Sequence, residues 1–154
     1  MATAHDVAAH VLSRTGTITP MKLQKLVYYS QAWHLVWEER LLFPERIEAW
    51  ANGPVVRDLY DAHRGQYQVG AWPLGDAAAL DASERESIDV VVDEYGRLSG
   101  HDLSELTHRE PPWRDARTAA GLADGERGTV EISPASMLEY YDSLVPPIDG
   151  ERGA

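Results

Sequence analysis

The fold of this chain turns on Thr19–Glu38, TPMKLQKLVYYSQAWHLVWE. Thr19 is placed to cap a helix and Pro20 to occupy its first position, where the missing N–H costs nothing. Leu23, Leu26, Val27, Trp33 and Trp37 recur on one face at helical spacing. Met21, Tyr28, Tyr29, Ala32, Leu35 and Val36 cover much of the remainder. A helix that is apolar nearly all round is buried, with other elements packed on several sides. The stretch therefore predicts the central helix of a mostly α domain.

Shorter elements are expected around it. Thr3-Ala4-His5-Asp6 fits a capping box ahead of Val7, Ala8, Val11 and Leu12, and Gly16 is a stop. Ile47-Glu48-Ala49-Trp50 alternates with period two and predicts a short strand. Gly53 is read as a cap and Pro54 as the first residue of a helix whose face carries Val55, Val56, Leu59, Tyr60 and His63. Gln66–Ala79, with Gly70, Pro73 and Gly75, reads as a mobile loop that Trp72 anchors. Ile88, Val91, Val92 and Tyr95 form an i, i+3, i+4, i+7 stripe on an otherwise acidic helix ended by Gly96. Ser99 and Asp102 cap a helix facing inward through Leu103 and Leu106, and Pro111-Pro112 starts another. Thr129–Ile132 predicts a second strand. Ser133-Pro134 opens a last helix, with Met137, Leu138, Tyr141, Leu144 and Val145 as its core residues.

The composite is one domain over residues 1–146. It has about six helices around a central buried helix and one short two-stranded ribbon pairing residues near 47–50 and 129–132. Residues 147–154 are expected to form a disordered tail. A chain of 154 residues is large enough to bury a core without staples.

Charge narrows the partners. The net charge is −11, and 18 of the 25 acids lie after residue 75, where they face 7 of the 14 bases. Acidity of that kind repels phosphate backbones, so direct nucleic-acid binding is not expected, whereas a basic protein partner is attracted. The same acidity serves solubility in its plainest reading. No cysteine is present, which excludes disulfides, thiol nucleophiles and thiolate metal sites. With no apolar run long enough for a membrane span and no leader-like N-terminus, a cytoplasmic protein is expected.

Catalytic patterns are missing. There is no HExxH, GxSxG, SxxK, GxxxxGK[ST] or GxGxxG. His108-Arg109-Glu110-Pro111 has the start of a zinc deaminase signature without its CxxC. His101 and Glu105 lie one helical turn apart and His108 follows, but a metal site needs a convergent third ligand with support behind it. No metal, cofactor or catalytic residue is expected, and a small enzyme built on His101, Glu105 and His108 is the minor alternative. Five tryptophans are many for this length, and any that reach the surface are candidate anchors for a protein partner.

The blocks LQKLVYYSQAWHL (Leu23–Leu35), Phe43, Ile47–Trp50, Gly53-Pro54-Val55-Val56, Leu59-Tyr60, Leu103–His108 and Pro112-Trp113 together resemble the Panacea domain family, which includes SocA-like antitoxins and phage-associated GepA proteins. The resemblance implies an antitoxin of a toxin–antitoxin system that neutralises a cognate protein toxin, encoded by the adjacent gene, through direct binding. The alternative it implies is a proteolytic adaptor that delivers the toxin to a ClpXP-type protease. Matching the motif positions marks Trp33, His34, Trp50, Asn52, Gly53, Pro54, His108 and Trp113 as partner-binding candidates. Their plainer reading is structural, with Gly53-Pro54 starting a helix and Trp33 filling the core, while the contact surface lies on Gln66–Ala79 or on the acidic helix.

Overall fold

Two capped helices begin the computed structural model, in which residues 1–146 are described. Helix α1 (Ala4–Thr15) starts in the reciprocal box of Thr3 and Asp6 and ends at Gly16, whose φ of 72° suits a residue without Cβ. Helix α2 (Pro20–Glu38) starts where Thr19 Oγ1 accepts from the Lys22 amide at 3.2 Å, and it ends at Glu39 in the left-handed region. Every residue from Leu23 to Ala32 is buried, polar ones included. α2 packs against α1, against β2 (Gly53–Val55), and against α4 (Ala82–Tyr95), α5 (Gly100–His108) and α7 (Pro134–Ser143). It is the shared inner wall of the domain.

The remaining elements are β1 (Ile47–Trp50), α3 (Arg57–His63), a single 3-10 turn at Ala77–Ala79, α6 (Pro111–Ala119) and β3 (Glu131–Ile132). The described residues thus hold seven α-helices, against about six expected, and α6 starts at Pro111 as its two prolines suggested. β1 and β3 pair antiparallel with Ile47 opposite Ile132, as the alternation suggested. The sheet nevertheless has three strands in the order β2-β1-β3.

The extra strand corrects the reading of Gly53-Pro54. These residues do not start a helix: Trp50 pairs with Gly53 and Ala49 with Pro54, so they return antiparallel along β1. Gly53 has φ 123°, a conformation open to glycine, and Pro54 sits on an edge strand, where a missing donor is tolerated. α3 begins only at Arg57, with no side-chain cap at Val56. Gln24 makes the difference. Its Oε1 accepts from Val56 N at 2.9 Å and its Nε2 donates to Val56 O at 3.1 Å, which holds that backbone extended.

Gln66–Ala79, expected as a mobile loop, is tied down. Ile18 and Val69 exchange both backbone hydrogen bonds at 3.0 and 2.8 Å, Trp72 is buried and donates to His5 Nδ1 at 3.0 Å, and Gly75 lies so close to the His5 carbonyl that a Cβ has no room. The segment is held by α1 and by the α1–α2 connection through contacts that composition does not reveal.

At the far end of the chain, Met137 and Tyr141 are the buried residues of α7, while Leu138 and Leu144, expected inside, are exposed. The helix is held by polar contacts as well. Glu110 Oε1, at the N-cap of α6, accepts from Tyr29 at 2.7 Å and from Tyr141 at 2.8 Å, and the Tyr28 and Tyr141 hydroxyls lie 2.9 Å apart. Burial pushes the Glu110 carboxyl above its ordinary range, against the pull of the two hydroxyls. The tail 147–154 lies outside the described residues.

Removing the Tyr141 hydroxyl takes a donor from a buried carboxyl and a partner from Tyr28. Tyr141→Phe should lower unfolding stability by about 1–3 kcal/mol in urea titrations, with the melting of the helical signal still cooperative.

Candidate functional site

Most of the sequence-derived candidates gather where the β1–β2 turn meets α5 and α6. Trp113 Nε1 donates to Trp50 O at 2.8 Å, and His108 stacks on Trp113 with ring centroids 4.0 Å apart. Ser104 Oγ donates to Asn52 O at 2.5 Å. Arg117, buried beneath, donates to Ala49 O at 2.9 Å with its guanidinium 5.2 Å from the Trp113 ring. Burial lowers the His108 pKa, so the ring favours its neutral form, and its Nε2 has no partner among the described residues.

Gly53 is shaped by its neighbour. A Cβ there would meet Lys25 Cε at 2.5 Å and Thr107 Oγ1 at 3.2 Å, so the turn approaches α2 closely only because it has no side chain at this point. Lys25 lies in the space this leaves, 2% exposed, with its Nζ donating to Pro54 O at 3.2 Å. That is its one hydrogen bond among the described residues, and no carboxylate pairs with it. Desolvation pushes its pKa down to about 7.

Lys25 forms part of the lining of a cleft of about 570 Å³, together with Trp50, Asn52, Arg57, Tyr60, His63 and Arg127. His63 Nε2 faces Gln24 Nε2 at 3.0 Å, so the ring accepts from the amide, and burial lowers its pKa toward the neutral form that this requires. Trp50 meets Tyr60 edge-on at 4.8 Å, with Arg57 5.5 Å from the indole. Glu48 sits behind this wall. Burial alone would raise its pKa, but hydrogen bonds from Trp50 and Arg57 and the charges of Arg57 and Arg46 hold it below the ordinary range.

Trp33 and His34 do not join this cluster. Trp33 stacks on Trp37 at 5.4 Å and donates to the Tyr95 hydroxyl at 2.9 Å. His34 is fully buried, with Nδ1 2.8 Å from Ser87 Oγ on α4 and its Nε2 unpartnered among the described residues. Trp33 instead borders a second cleft of about 480 Å³ with Trp37, Val90, Leu98 and Leu106. Trp37 is 40% and Val90 38% exposed, and Glu86, Val90 and Glu94 follow one another along the open face of α4. As for the alternative centre, His101 and Glu105 are exposed 3.8 Å apart, while His108 turns to Trp113. Among the described residues no three His, Asp or Glu side chains form a group that would hold a metal ion, and no helix is long and apolar enough to cross a membrane.

Sequence reasoning passed over Lys25, Gln24, His63 and Arg117. Polar residues inside a helix that is otherwise apolar all round were the available signal for Gln24 and Lys25. His63 was placed on the apolar face of its helix but given no role, and Arg117 carried no signal, since it is buried by elements distant in sequence.

These features define a small helical domain in which one buried helix underlies two open clefts. A family model described as "Antitoxin SocA-like, Panacea domain" matches residues 23–114, and the chain belongs to this family. The matched segment runs from the first buried turn of α2 to α6 and so includes both clefts apart from the Pro20–Met21 edge and the 127–129 wall of the first. No curated protein and no solved structure matches the chain.

Lys25 makes the native state bind fewer protons than the unfolded chain between pH 7 and the ordinary lysine value of 10.5. Its destabilising effect is therefore full below pH 7 and fades as pH rises. Wild-type stability should climb from pH 7 to 9.5 by at most about 1.4 kcal/mol per pH unit from this group, and Lys25→Met should flatten that climb in denaturant titrations run at each pH.

Proposed function

We propose that this protein is an antitoxin that neutralises a cognate protein toxin by binding it directly. Membership of the SocA-like Panacea family is the observation that carries the reading. The geometry adds a surface suited to it. The Trp33–Trp37 cleft combines an exposed stacked tryptophan, an exposed valine and a leucine floor with the acidic open face of α4. Its occupant is a segment of the toxin with an apolar ridge flanked by lysine or arginine, because apolar anchoring and charge complementarity then act together. In this reading the Trp50–Trp113 cluster holds the fold and the protein works as a binding partner, not a catalyst.

Co-expression with the product of the adjacent gene tests the proposal. Rescue of growth and a stable complex are expected. Trp37→Ala should weaken toxin binding about 10–100-fold while leaving the melting transition nearly in place, and Glu86→Lys with Glu94→Lys should slow association most at low salt. Absence of both rescue and complex would overturn the reading. Toxin half-life separates the two mechanisms: it stays constant under occlusion and falls only in cells with an intact ClpXP-type protease if the protein is an adaptor.

A further inference from the structure

The first cleft has a chemical character that the rest of the molecule lacks. The chain carries 25 acids against 14 bases, yet none of the residues lining this cleft is an aspartate or glutamate, while Lys25, Arg57 and Arg127 all line it. Arg57 is already neutralised by Glu48 at 2.9 Å. Arg127 is exposed and has no hydrogen bond or ion pair among the described residues. Lys25 is buried with two of its three donor positions open and no counter-charge. A buried amine in this state is costly when charged, and an anion placed beside it removes that cost.

The walls say what else the ligand carries. Trp50 and Tyr60 form an aromatic side, and Pro20, Met21 and Val55 an apolar one. A volume of about 570 Å³ lies within the range of small-molecule sites, which are mostly apolar with a few placed polar groups. We infer that this cleft is a binding site for a small aromatic anion, a flat ring bearing a single phosphate or carboxylate, with the anionic group received by Lys25 and Arg127 and the ring lying against Trp50 and Tyr60. A nucleoside monophosphate and an aromatic carboxylate share that chemistry. The site is separate from the tryptophan cleft assigned to the toxin, so its failure would leave neutralisation standing, and failure of neutralisation would leave it standing too.

Titration calorimetry on the full chain at pH 7 tests this with AMP, benzoate, adenosine and inorganic phosphate. Binding of AMP or of benzoate is expected, and which of them binds names the source of the anion. Lys25→Met should reduce that affinity at least about 10-fold and Arg127→Gln several-fold. Affinity should also fall between pH 7 and 9 as the amine loses its proton. The groups facing Lys25 there are His63 from α3 and His108 from α5, both held neutral already at pH 7 by burial, and AMP keeps its full charge across that interval because its second phosphate ionisation lies near pH 6. No heat with either anion at millimolar concentration overturns the inference. So does adenosine binding as tightly as AMP, inorganic phosphate binding as tightly as AMP, or an affinity that neither Lys25→Met nor rising pH reduces. Should Lys25→Met fail to fold, Arg127→Gln and the pH series decide alone.

Discussion

Two glutamines on α2 impose the constraint on which the rest of the structure depends. A helix buried along most of its length leaves little freedom for the segments that cover it, and any backbone laid on it without regular pairing must find partners for its N–H and C=O groups. Gln24 supplies both for Val56, and Gln31 does the same one segment earlier, accepting from Leu42 N at 2.7 Å and donating to Phe43 O at 2.8 Å. Each side-chain amide acts as a short piece of β-ladder set on a helix. Together they hold the two ends of the β1–β2 region against α2, and so they set where Trp50, Gly53 and Pro54 stand.

The two clefts follow from that arrangement. Where the β1–β2 turn comes down on the N-terminal half of α2, Gly53 leaves room for Lys25, and the amine is enclosed without a carboxylate. Toward the C-terminal end the tryptophans at 33 and 37 meet α4 and α5 at an open seam. One helix thus offers a cationic and aromatic recess near its start and, near its end, an aromatic one that holds both Glu94 and Arg97 and lies beside the acidic open face of α4. The acidity counted in the sequence describes the α4 face beside the second and is the opposite of the first. Net charge is a statement about the whole surface, and a local site departs from it freely.

Helices were legible where local signals act alone: the caps at Thr3, Thr19, Ser99 and Ser133, the stop at Gly16, and the stripe Ile88–Tyr95 all rest on residues within one or two turns of each other. The β1–β3 pair was legible because alternation marks both strands. β2 was not, since Gly53-Pro54 has equal local claims to a helix start, and a glutamine some thirty residues earlier decides the matter. The tied loop at 66–79 and the exposed Leu138 and Leu144 were hidden for the same reason: each depends on what a distant element places beside it. Of the site, the residues Trp50 to Pro54 with His108 and Trp113 could be grouped through resemblance. The lysine beneath them could not, because of the two lysines on this apolar helix nothing local tells which escapes to solvent and which is enclosed.

The attachment of α7 carries a consequence for the order in which the structure comes apart. Its buried residues are Met137 and Tyr141, and Tyr141 both donates to Glu110 and packs its ring on Tyr28, Tyr29 and Trp33, so the attachment centres on one side chain. Lifting α7 would uncover the Tyr28, Tyr29 and Trp33 rings of α2, so this helix opens with the core rather than ahead of it. When it lifts, the Glu110 carboxyl and the Tyr28–Tyr29 edge of α2 are hydrated together.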